Sequence, residues 1–264
     1  VHCEDEERLR ERMSLVSDGA PVSMHAEWRD VETALRATTR LLRLARQAGR
    51  RIHTLHITTA DEMVVLKDNK DVATVEVLPQ HLTLSAPEAY ERLGSLAQQN
   101  PPIRSVKHRE ALWQAIQDGV VDCIGSDHAP HTLEEKQRPY PRSPSGMTGV
   151  QTLVPVMLDH VSAGRLTLQR FIDLTSSGPA RIFGIARKGR IALGYDADLT
   201  IVDLKKKRTI TNDWIVSKSK WTVYDGKTVT GWPIKTVVRG QIVMSDNEVL
   251  GTPVGALVAF TETL

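Results

Sequence analysis

The sequence predicts an α/β fold built on a parallel sheet or barrel, followed by a separate β-rich module. Three observations predict it. Strand-like and helical segments alternate through the first half, the pattern that parallel βα units require. The last strand of that half, Val120–Gly125 (VVDCIG), is a continuous apolar run of the kind buried on both faces. After Gly184 the texture changes to short strand-like pieces joined by Gly and Asp turns.

Taken in order, Val1-His2-Cys3 reads as a strand end, and Glu4 to about Val16 is charged and helical. Ser17–Pro21 is turn-rich. From Trp28 to Ala48, Val31, Leu35, Leu42 and Ala45 fall near helical spacing, with arginines on the other faces and Gly49 as the stop. Arg51–Ile57 alternates as a strand, and Thr58 or Thr59 caps a short helix to Lys67. Val72–Leu78 is a β-branched strand. Pro87–Ala97 and His108–Asp118 read as helices, separated by the Asn100-Pro101-Pro102 break. Residues 129–149 form a Pro- and Gly-rich loop without a clear internal element, long enough to suggest a functional segment. Helices are expected at about 150–163, 168–175 and 179–183. Strand-like pieces follow at 189–194, 198–203, 236–239 and 241–244.

Composition narrows the function. The chain has 264 residues, 41% of them hydrophobic, which is globular. Lys plus Arg number 34 against 32 Asp plus Glu, a balance that argues against nucleic acid as the main partner. No run approaches the length of a membrane span. Cys3 and Cys123 are too few for a disulfide framework, and both read as small core residues of a protein in a reducing compartment.

In parallel α/β folds chemistry sits at the carboxyl ends of strands. His2, His56 and Asp127 all lie at or just past such ends. Ser126-Asp127-His128-Ala129-Pro130-His131 packs a carboxylate and two imidazoles into five positions, suited to a metal or acid–base site as well as to a capped polar turn. Asn100 and Arg104 offer an amide and a guanidinium to a carboxylate or cyclic amide, although a solvated Arg104 is the plainer reading. Ser145-Gly146-Met147-Thr148-Gly149 lacks the lysine of a phosphate loop, leaving backbone contact with a small ligand. His25, His108 and His160 have no sequence partners and read as solvent or helix-face residues.

The motifs VHCED, TLHITTADE, NPPIR, SDHAPHTLEEK and PSGMTGVQTLVP, in this order and spacing, resemble those of the dihydroorotases of the amidohydrolase superfamily. RKGRIALGYDADLTIVD and TGWPIKTVVRGQIV are similar to the small β-domain flanking the barrel in these enzymes. The resemblance implies a (β/α)8 TIM-type barrel, here its second half, strands five to eight, over residues 1–187, with a small carboxyl-terminal β-domain over 188–264. It implies a cytoplasmic enzyme of pyrimidine biosynthesis with one or two zinc ions, which closes carbamoyl-aspartate reversibly to dihydroorotate. His2, His56 and Asp127 match metal ligands, and Asp127 also the catalytic proton relay. Asn100, His131 and Gly146 match substrate-holding positions. A small-molecule substrate is the implied partner, with a homo-oligomer or a pyrimidine-pathway protein as the open choices of assembly. Hydantoin or allantoin hydrolysis, or a non-catalytic scaffold, are the alternatives. Two departures stand out. The family's Pro-His-His-Leu is Pro79-Gln80-His81-Leu82, and neither the first-strand His-x-His nor the fourth-strand lysine is present. The chain alone is therefore expected to bind zinc weakly at His2 and His56 and to hydrolyse little.

Overall fold

A computed structural model describes residues 1–261. Contacts divide the chain into two compact units. The first is Val1–Gln151 with Thr211–Asp225, and the second is Thr152–Ile210 with the chain from Gly226 onward.

The first unit carries helices α1 (Glu6–Glu11), α2 (Met24–Trp28), α3 (Val31–Ala48), α4 (Ala60–Lys67), α5 (Pro79–Thr83), α6 (Glu88–Leu93), α7 (Val106–Gln117) and α8 (Leu133–Lys136). Its three strands, β1 (Ile52–Thr54), β2 (Ala73–Val77) and β3 (Cys123–Ile124), form a parallel sheet in the order β1-β2-β3. Helices α1, α3, α4 and α8 begin where the sequence supplies a side-chain cap. Asp30 accepts the Thr33 N–H at the start of α3, and Gly49, at φ 60°, closes it in the left-handed conformation. Thr59 and Glu62 form a reciprocal capping box on α4. The buried stripe of α3 runs through Ala34, Thr38, Leu42 and Ala45. Thr38, rather than Leu35, continues it because its hydroxyl donates to the buried Glu62 carboxylate at 2.8 Å. On β2, Ala73, Val75 and Val77 are wholly buried, while Thr74 and Glu76 point to the opposite face.

The expected first strand is not formed. Val1 makes two ladder-like bonds with the chain at β1, from its amino group to His53 O and from Leu55 N–H to Val1 O. Asp5 then caps α1, so one residue of pairing is too short for a strand. Three helices of the first unit escape the sequence pattern: α2, α5 and the capped single turn α8 within 129–149.

The second unit holds α9 (Leu153–Ser162), α10 (Leu168–Ile172) and α11 (Gly178–Ile182), with a π turn at Asp173–Ser177 between the last two. Strands β4 (Leu199–Thr209), β5 (Thr228–Val238), β6 (Gln241–Ser245) and β7 (Glu248–Val249) form an antiparallel sheet in chain order. No strand forms over 189–194, and the expected 198–203 and 236–239 pieces belong to strands of eleven residues each. β4 passes through Lys205-Lys206-Lys207 because these charges sit at an irregularity of the pairing and largely face water. Gly231, at φ 102°, lets β5 approach α9, since a Cβ there would stand 2.6 Å from that of Leu158.

Candidate functional site

The site is built where β1 and β3 end. His56 follows β1 at φ 39° and Asp127 follows β3 at φ 43°. The left-handed region disfavours most side chains but admits His and Asp more readily than others. Both candidate ligands therefore sit on a sharp backbone turn just past a strand, where sustained strain points to a functional constraint.

His2 and His56 meet directly. His2 Nδ1 lies 3.2 Å from His56 Nε2, with the rings edge-to-face at 4.8 Å between centroids. Two nitrogens on one tetrahedral zinc at about 2.0–2.1 Å each would stand about 3.3 Å apart. The observed separation fits a shared ion. His2 Nε2 reaches Glu4 at 2.9 Å, and Glu4 also takes a 2.6 Å hydrogen bond from Arg29. Burial pushes the Glu4 carboxyl up, but the hydrogen bond from His2 and the charges of Arg29 and Arg104 outweigh it and hold it below its usual value. A carboxylate behind one ring nitrogen fixes the tautomer that turns the other nitrogen to a metal. His56 is buried, its Nδ1 has no hydrogen-bond partner, and desolvation followed by the charge of His2 lowers it to about 4. It is neutral at pH 7, as a ligand must be.

Asp127 is half-buried. Burial first, and then the charge of Glu76, raise its carboxyl, while His2 opposes them. Among the described residues Asp127 does not close with His2 and His56 into a three-ligand cluster within 4.8 Å. The histidine pair and the carboxylate are thus separate ligand elements.

Asn100 is fixed from behind by His25. His25 Nε2 lies 2.9 Å from Asn100 Oδ1 and 3.0 Å from Gln99 O, and its Nδ1 lies 3.3 Å from Tyr140 Oη. The Gln99 carbonyl only accepts, so Nε2 carries the proton. Burial lowers His25 to about 4, which keeps the ring neutral. Asn100 Oδ1 is consequently occupied, and its Nδ2 is the group left for a ligand. His131 belongs to another network. Its carbonyl accepts from Trp221 Nε1 at 2.7 Å, and its Nδ1 lies 3.6 Å from Glu135. Gly146, at φ 142°, packs against this residue: a Cβ there would stand 3.2 Å from His131 Cδ2 and collide with Ala129 O. Gly146 N–H donates to Gln98 O at 2.9 Å, which ties it to the chain two residues before Asn100.

Several residues take roles that the sequence did not announce. Arg104 is buried and donates to Thr58 Oγ1 and to the carbonyls of Ala26, Arg29 and Asp30, so it braces the backbone rather than standing in water. His25 is 1% exposed, against its expected solvent position. His108 Nδ1 accepts the Ala60 N–H at the start of α4. His81 is buried against Pro101 O and Gln99 Nε2. Lys136 is wholly buried, and its ammonium donates to Gln98 O, Pro144 O and Gly146 O at 2.8–3.1 Å. Glu4 and Glu76 were missed. Glu4 sits in a charge run, and only its spacing of two from His2 hinted at a shared site. Glu76 alternates within a strand whose visible signal was its apolar face.

The amidohydrolase family model matches residues 5–243. A dihydroorotase of Methanothermobacter thermautotrophicus is 34% identical over 250 residues, covering 95% of this chain and 57% of that protein. One from Pyrococcus furiosus is 39% identical over 222 residues, 84% of this chain and 51% of that protein. Among solved structures, the L-hydantoinase (dihydropyrimidinase) from Arthrobacter aurescens matches with a TM-score of 0.90 at 30% identity, covering 95% of this chain and 58% of that one. The chain thus spans about half the length of the curated relatives it matches. No helix among the described residues is long and apolar enough to cross a membrane.

Proposed function

The chain belongs to the amidohydrolase family, and on that premise we propose that it serves a zinc-dependent dihydroorotase, supplying half of a TIM-type barrel (1–187) and a small β-domain (188–264). The observation that carries this reading is the His2–His56 nitrogen pair, 3.2 Å apart with Glu4 behind it, beside the strand-end carboxylate Asp127. His2 and His56 would hold one zinc ion, and Asp127 would contribute to a second. When bound, zinc supplies Lewis-acid polarisation of a cyclic amide carbonyl and activation of water at neutral pH.

The chain's own residues do the rest. Asn100, its Oδ1 anchored on His25, presents Nδ2 hydrogens to the substrate carboxylate. His131 donates to the same carboxylate, and the Gly146 segment lets the ring approach the backbone. Asp127 takes a proton from the attacking water and delivers it to the ring nitrogen as the C–N bond breaks. A carboxyl raised by burial and by Glu76 is suited to holding that proton. The reverse sequence closes the ring. The site is cytoplasmic and belongs to pyrimidine biosynthesis, with assembly as a homo-oligomer or with a pathway protein.

A second reading is hydantoin or dihydropyrimidine hydrolysis, favoured by the fold match to a hydantoinase. Asn100 favours dihydroorotate, because its amide suits a carboxylate that hydantoin lacks. The test is a substrate panel of dihydroorotate, hydantoin and allantoin with zinc-loaded protein that also carries a first-strand His-x-His and fourth-strand lysine. Turnover of dihydroorotate that falls at least about tenfold in Asn100→Ala is expected, as for loss of a charge-assisted hydrogen bond. Preferential turnover of hydantoin would overturn the assignment. The chain by itself is expected to turn over little of any of them.

A further inference from the structure

We infer that His53, Glu76 and Cys123 form a further metal site for a borderline divalent cation such as zinc, using no ligand of the His2–His56–Asp127 set. The three residues come from three adjacent parallel strands and share one face of the sheet. His53 is in register with Thr74, Thr74 lies two residues before Glu76, and Glu76 is in register with Cys123. Period-two alternation therefore puts His53, Glu76 and Cys123 on the face opposite Ala73, Val75 and Val77. Buried parallel strands ordinarily carry Val, Ile or Leu. Three adjacent strands each contribute a ligand-type side chain instead.

The distances suit a single ion. Among the described residues this is the one place where three ligand atoms of His, Cys, Asp or Glu fall within 4.8 Å of one another. His53 Nε2 lies 3.8 Å from Glu76 Oε2 and 3.7 Å from Cys123 Sγ. Tetrahedral zinc, with bonds of about 2.0–2.2 Å to N and O and about 2.3 Å to S, would set these pairs at about 3.4 and 3.6 Å. These two pairs need to close by only a few tenths of an ångström, and the third, between Glu76 and Cys123, lies within 4.8 Å.

The surroundings are arranged as a metal site requires. His53 Nδ1 is 2.8 Å from Thr74 Oγ1, and that hydroxyl also points at Ile52 O. The hydroxyl donates to the carbonyl and accepts from Nδ1–H, which leaves Nε2 with its lone pair toward Glu76 and Cys123. The other Glu76 oxygen accepts the His56 backbone N–H at 3.1 Å, which orients the carboxylate. Gly125 makes room for it, since a Cβ there would stand 2.6 Å from Glu76 Cδ. Binding converts the Cys123 thiol to a metal thiolate and releases its proton to solvent. One thiolate and one carboxylate then neutralise a divalent cation in a nearly closed place, where Cys123 is 2% exposed. Mixed S, N and O donors favour zinc over magnesium or calcium.

Cobalt(II) tests this, because a thiolate ligand gives it a near-ultraviolet charge-transfer band. Cobalt(II) chloride is titrated into the full chain carrying Cys3→Ser, so that Cys123 is the only thiol. The expected result is a charge-transfer band with tetrahedral visible bands, saturating at about one equivalent. The band is lost in Cys123→Ser, persists in His2→Ala with His56→Ala, and needs at least about tenfold more cobalt in His53→Gln. Glu76→Gln, which still accepts the His56 N–H, gives the same weakening and decides the matter if Cys123→Ser does not fold. Absence of the band overturns the site, as does survival of the band in Cys123→Ser or full affinity in Glu76→Gln.

Discussion

Gly146→Ala is expected to destabilise the first unit by about 2–6 kcal/mol, and the figure follows from two costs at one atom. The residue holds φ 142°, a conformation that L side chains rarely adopt. Forcing a non-glycine residue into such a region costs on the order of 1–3 kcal/mol. The added methyl also falls on Ala129 O and within 3.0 Å of Ala129 Cβ. That oxygen is backbone, and the Ala129 N–H is itself bonded to Met147 O at 2.9 Å, so it yields less easily than a flexible side chain. Overpacking of this kind costs about 1–3 kcal/mol. The sum is a large part of the about 5–15 kcal/mol available to a folded domain. The assay is urea unfolding followed by Trp fluorescence. At a slope of about 3 kcal/mol per molar urea, the midpoint falls by about 0.7–2 M. Gly255→Ala is the control, since a Cβ there meets nothing within 4 Å, and it shifts stability by less than about 0.5 kcal/mol. If Gly146→Ala unfolds with the control, the close approach of 146 to 129 is not real, and the substrate-facing role given to this segment falls with it.

Other expectations follow from the buried histidines, the ligand support and the second unit. His81 is lowered by burial to about 3, against 6.5 when unfolded, so the unfolded chain binds the extra proton between these values. Its stabilisation is complete above pH 6.5 and is lost as pH falls toward 3. His81→Gln should therefore reduce the stability loss between pH 7 and 5 by about 2 kcal/mol in urea titrations, and an unchanged loss would contradict the burial of the neutral ring. Glu4→Gln, in a Cys123→Ser background that confines zinc to the histidine pair, should weaken zinc binding by about 10–100-fold in calorimetry. Equal affinity would remove Glu4 from the site. Gly231→Ala should cost the second unit about 2–6 kcal/mol, by strain at φ 102° and by pressing β5 off Leu158, read as a lowered thermal midpoint.

The parts of this molecule that could be read from sequence were those with a local signal. The end of α3 and the start of α4 were visible because Gly49 and Thr59 act within one turn of chain. His56 and Asp127 were visible because each follows a strand marked by its own residues. What stayed hidden depended on partners far along the chain. Glu4 becomes a ligand support only when Arg29 and His2 close on it. Arg104 looked solvated, and Lys136 drew no reading at all, because their acceptors are mostly backbone carbonyls, which leave no trace in side-chain identity. The eleven-residue strands β4 and β5 were fragmented by lysines and glycines whose exposure depends on which face the sheet leaves open. The α5 helix, five residues with Pro79 at its start, is too short to show a period.

Lys136 also gives the molecule a clock for its own opening. An amine with no exposed surface cannot meet an acylating reagent while its three carbonyl partners hold it. Its burial pushes the ammonium down to about 8, and uncovering removes that cause, so labelling is read at alkaline pH, where a solvated lysine is partly deprotonated. The rate at which Lys136 becomes labelled therefore counts the excursions in which the 144–146 turn lifts away. That is the same turn that the proposed function sets beside the substrate ring.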